Sequence, residues 1–82
     1  MQKFRSIEHL KAQLTVVRGH LDAAAALENG EKKRRHLDGA SLTYQGALEL
    51  LGQLALPADE RAGIAKELEE LKQQLRAAGQ AV

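Results

Sequence analysis

The stretch LDGASLTYQGALELLGQL, residues 37–54, decides the class of this chain. Leu37, Ala40, Tyr44, Ala47, Leu51 and Leu54 follow one another at alternating steps of three and four. That spacing puts them on one stripe of an α-helix, whereas a strand would need alternation at every second residue. The same device appears on either side. Upstream, Ile7, Leu10, Leu14, Val17, Leu21 and Ala24 form a seam, and downstream Ile64, Leu68, Leu71, Leu75 and Ala78 form another. Three apolar seams with short connections predict an all-α fold, a small antiparallel bundle with helices near residues 6–28, 31–54 and 57–78, built as one domain over residues 1–82.

Local signals set the expected ends. Ser6 is placed to cap the first helix, and Asn29-Gly30 to end it through a left-handed cap. A first helix continued to His36, with the break at Asp38-Gly39, is the alternative. Asn-Gly is the stronger breaker, and Glu28 and Glu31 would interrupt a continued seam, so a second helix from Glu31 is favoured. Pro57 suits the first position of the third helix, with Asp59 and Glu60 at the positive end of its dipole, and Gly79 closes it.

Composition agrees. Ala, Leu, Glu, Lys, Gln and Arg dominate, and Phe4 and Tyr44 are the chain's two aromatic rings apart from its histidines. A core of Leu and Ala buries little area per residue, at about 25 cal/mol per Å². An 82-residue chain built this way gains from association with a copy of itself or another protein.

The net charge is +1, which provides no global field for nucleic acid. It is unevenly shared: residues 1–41 carry eight Lys/Arg against five Asp/Glu, and residues 42–82 carry four against six. The lack of cysteine removes disulfides, thiol nucleophiles and thiolate metal sites, and suits a cytoplasmic setting. MQKFRSIEHLK lacks an apolar signal core, and the low-charge run from Gly39 to Ala58 is too polar to span a membrane.

Within that run Glu49 is the sole charge. Opposite the seam of the second helix lie Gly39, Leu42 and Gly46, with Leu50 at the edge. A helix without a charged face is ordinarily covered on both sides. Gly39, Leu42, Gly46 and Leu50 are therefore the expected self-association stripe, most simply in a symmetric homodimer. Cover by the other helices of the same chain is the plainer alternative.

The basic run Lys32, Lys33, Arg34, Arg35 and His36 is the strongest local charge feature. Consecutive cations point all round a helix, and at its first turns the dipole disfavours them. Lys32, Lys33, Arg34 and Arg35 are expected to contact a partner or an anion, with a solvated turn as the alternative. No aromatic residue lies beside them to stack a base.

Chemistry finds little purchase. His9, His20 and His36 are too far apart in sequence to form a paired ligand set on one helix, so a metal site would have to be assembled between helices or chains. Ser41 has no evident base nearby. Glu49 would act as a general acid only if buried. No phosphate-binding glycine loop occurs. Neither cofactor nor metal nor catalytic residue is expected. The reading is a non-catalytic protein–protein interaction module, an adaptor, regulator or inhibitor acting as a homodimer with a protein partner. The alternative is a nucleic-acid-associated accessory protein using the basic turn 32–36.

The segment ASLTYQGALELL, residues 40–51, resembles the second helix of tetratricopeptide-type and microtubule-interacting-and-trafficking modules. In those, a small residue, a tyrosine and an Ala-Leu pair pack between neighbouring helices. The likeness covers that segment alone, without a recurring repeat period, and transfers no binding residue.

Overall fold

The computed structural model describes residues 7–28 and 30–82. It contains helices α1 (Ile7–Ala26), α2 (Glu31–Gln53) and α3 (Ala58–Ala77), with no strand among the described residues. One apolar core joins them: Leu10, Leu14 and Val17 from α1, Ala40, Tyr44, Ala47, Leu50 and Leu51 from α2, and Ile64, Leu68, Leu71 and Leu75 from α3. Every one of these except Leu50 lies on a seam predicted from the spacing of apolar residues. No polar or charged residue is buried with them among the described residues.

The helix ends depart slightly from the sequence pattern, for local reasons. α1 stops at Ala26, two residues early, and Ser6 and Asn29 lie outside the described residues. Gly30 then adopts φ 145° and ψ −176°, a combination open essentially to glycine alone, and its carbonyl accepts from the Arg34 amide at 3.1 Å. The break therefore falls between α1 and Glu31, and a continuous helix to His36 is excluded. Pro57 sits at the N-cap of α3 instead of its first helical position. Its φ of −57° is that of any proline, but its ψ of 151° is extended, and its carbonyl accepts from Arg61 N at 2.9 Å. At the far end Gly79 takes φ 94°. Gln80 N reaches Leu75 O at 2.9 Å and Gly79 N reaches Arg76 O at 3.0 Å, the paired bonds of a Schellman cap.

Contacts between helices fix the register. A Cβ added to Gly39 would meet the His20 ring, and one on Gly46 would meet Gln13, so seven residues forward on α2 correspond to seven back on α1. Ser41 Oγ donates to Gln80 Oε1 at 2.6 Å, tying the first half of α2 to the chain after α3. Arg18 of the basic half pairs with Glu67 of the acidic half, joining α1 to α3. No helix among the described residues is long and apolar enough to cross a membrane.

Candidate functional site on the α1–α2 flank

α2 packs against both α1 and α3, so its buried arc is wider than a single seam. This redistributes the stripe Gly39, Leu42, Gly46 and Leu50. Leu50 is 8% exposed and belongs to the core. Gly39 and Gly46 are half-buried and turned towards α1. A Cβ on Gly39 would stand 3.1 Å from His20 Nε2, so the missing side chain makes room for that ring within the same chain. Leu42 alone faces out, 71% exposed. The outward row of α2 is Asp38, Leu42, Gln45 and Glu49, all exposed, so the outer face is not free of charge. Packing against two neighbours instead of one turns the outer face of α2 away from the glycines.

Leu42 has an apolar counterpart across the flank. Between the two register pairs, Gly39 with His20 and Gly46 with Gln13, lies Val16 on α1, 46% exposed. Gln13, one turn earlier, holds its Oε1 buried without a hydrogen-bond partner among the described residues. Leu48, 42% exposed, lies six residues beyond Leu42 and hence on a different side of α2.

The basic run spreads around the start of α2. Lys32, Arg34 and Arg35 are exposed and Lys33 is half-buried. Arg35 Nη2 lies 3.3 Å from Glu31 Oε2 one turn before it, a surface pair of small energetic weight. Lys33 lines an open groove of about 360 Å³ with Leu21, Leu37 and the small residues Ala24, Ala25, Ala77 and Ala78. Arg34 joins Lys33 on a second open hollow with Gly30, Leu37, Ala77, Ala78 and Gln80, and borders a further one with Gly30 and Glu31. Lys33 and Arg34 thus share a surrounding, while Arg35 is paired with Glu31.

The structure brings together a pair that local spacing does not reveal. His20 Nδ1 and His36 Nδ1 are 3.1 Å apart, with ring centroids 5.3 Å apart and planes tilted by 47°. One nitrogen donates and the other accepts. Sixteen residues separate the two in sequence. The available signal was indirect: Gly39, one turn after His36, is the gap into which the α1 ring fits. No group of three or more His, Cys, Asp or Glu side chains converges on a metal-sized site among the described residues.

The remaining chemical candidates are otherwise engaged or exposed. Ser41 gives its proton to Gln80, and Glu49 is exposed, without the burial that general-acid use would need. Tyr44 is buried at the seam. Burial pushes its phenol above the ordinary value of 10.0, the Glu69 carboxylate adds to that, and the Arg76 guanidinium opposes it. Compared with protein-family models, characterised proteins and solved structures, the chain matches none.

Proposed function

We propose that this protein is a non-catalytic protein–protein interaction module that self-associates through the α1–α2 flank around Leu42 and Val16. The observation that carries the reading is Leu42, a leucine in the middle of a helix left 71% exposed, with Val16, 46% exposed, on the neighbouring helix. Covering a leucine side chain fully contributes about 1.5–3 kcal/mol, so two copies of the flank facing each other gain on both sides. Asp38 and Glu49 then form a charged rim around an apolar centre, the usual anatomy of an interface. A small adaptor, regulator or inhibitor of the cytoplasm is the role that such a chain without cysteine would suit.

The test is molar mass in solution, by light scattering on a sizing column, for wild type and Leu42→Asp. A wild-type dimer that becomes a folded monomer on substitution is the expected result. A wild-type monomer at high micromolar concentration overturns self-association. The nucleic-acid reading ranks second. It draws on exposed Lys32 and Arg34, but the spread of the run leaves few cations for one phosphate backbone. Binding to duplex DNA that falls steeply with salt, and weakens in Lys32→Gln/Arg34→Gln, would reverse the order.

A further inference from the structure

Two imidazole nitrogens held 3.1 Å apart on different helices can share a proton, and the same geometry can share a metal ion. We propose that His20 and His36 form a two-histidine chelate for a divalent first-row transition ion, bridging α1 and α2 through their Nδ1 atoms. With metal–nitrogen bonds of about 2.0–2.1 Å, donors at this separation subtend about 95–102° at the ion. That lies between the angle of about 90° for neighbouring ligands of a tetragonal ion and about 109° for a tetrahedral one. Because the two Nδ1 atoms face each other almost head-on, both rings must turn by roughly 40° to aim at a shared ion in place of the proton.

The surroundings favour this use of the pair. Both rings are half-buried, and the missing side chain of Gly39 leaves room for the His20 ring. The rings come from separate helices, so an ion spanning them clips α1 to α2 close to the Gly30 turn. No carboxylate joins the two nitrogens among the described residues, which leaves the other coordination positions to water. Lys32 and Lys33, one turn before His36, bring positive charge near the site and weaken it electrostatically. A water-completed pair of imidazoles follows the usual order of stability, binding Cu²⁺ more tightly than Ni²⁺ or Zn²⁺. The proposal is independent of self-association, because both ligands belong to one chain.

Titration of the full chain with Zn²⁺, followed by ¹⁵N NMR of the imidazoles, tests it. Perturbation at Nδ1 of His20 and His36, saturating at one ion per chain and leaving His9 unchanged, is the expected outcome. The thermal midpoint should rise by about 10 °C or more at a free Cu²⁺ concentration a hundredfold above the dissociation constant. His36→Gln should abolish both effects. The NMR readout on wild type stands even if that variant fails to fold. Unchanged imidazole signals at millimolar Zn²⁺, coordination centred on His9, or one ion shared by two chains would overturn the chelate.

Discussion

The guanidinium of Arg61 donates from Nη2 to the backbone carbonyl of Leu54 at 2.6 Å, so the first turn of α3 closes the end of α2. Leu54 is the C-cap of α2, where the chain turns to β geometry and the last carbonyls have no intrahelical donor. A charged donor to such a carbonyl contributes about 1.5–3 kcal/mol in a protected setting, and less here because Arg61 is only half-buried. Arg61→Ala should lower the free energy of unfolding by about 1 kcal/mol in urea titration. An unchanged midpoint would mean that water serves the carbonyl equally well.

The glycines of α2 should respond differently to alanine. Gly46→Ala places its Cβ 3.6 Å from Gln13 Nε2, ordinary contact, and should stabilise by about 0.5–1 kcal/mol through helix propensity. Gly39→Ala meets three atoms of the His20 ring at 3.1–3.4 Å. The ring is held by His36, so its displacement should cancel the propensity gain and disturb the imidazole signals of both histidines. Equal gains at the two positions would show the His20 ring to be loosely held.

Two leucines at opposite extremes of burial provide a third comparison. Leu71 is 1% exposed within the core, and its replacement by alanine should cost about 2–5 kcal/mol. For a domain of this size that is a large part of a total of about 4–12 kcal/mol. Leu42→Ala should leave the stability of the single chain within about 0.5 kcal/mol while weakening self-association. Chemical denaturation at low and high protein concentration separates the two effects.

The titration of Tyr44 follows from its burial. Its phenol is raised above 10.0 in the fold, so the neutral ring is the form the folded chain favours. That contribution to stability is fully present below pH 10.0 and is lost as pH climbs through the raised folded value. Tyr44 is the chain's one tyrosine and there is no tryptophan, so phenolate absorbance near 295 nm reads it directly. The native midpoint should lie above that in concentrated urea, and Glu69→Gln should bring it part of the way back. Coincident native and denatured midpoints would contradict the burial.

Much of the architecture was legible because helix seams are local. Leu10, Leu14 and Val17, and likewise Leu68, Leu71 and Leu75, are three or four residues apart, and period alone assigns their face. Gly30 and Gly79 mark breaks through a backbone geometry that other residues rarely adopt. The outer face of α2 was less legible. Whether Gly46 points to solvent or to Gln13 depends on how many neighbours α2 has and at what angle, and no periodicity encodes that. The meeting of His20 with His36 is harder still, because it depends on the register between two helices, which Gly30 and the turn before it set jointly with the core.

The backbones of α1 and α2 approach each other more closely than either approaches α3. They are also neighbours in the chain, separated by residues 27–30 alone. In kinetic terms the hairpin costs little loop entropy and gathers most of its partners from nearby sequence, so it forms early. α3 is then expected to dock onto a surface already made and to be the first element to leave it. Backbone amides of α3 should therefore exchange with solvent deuterium through a lower-energy opening than those in the middle of α1 and α2.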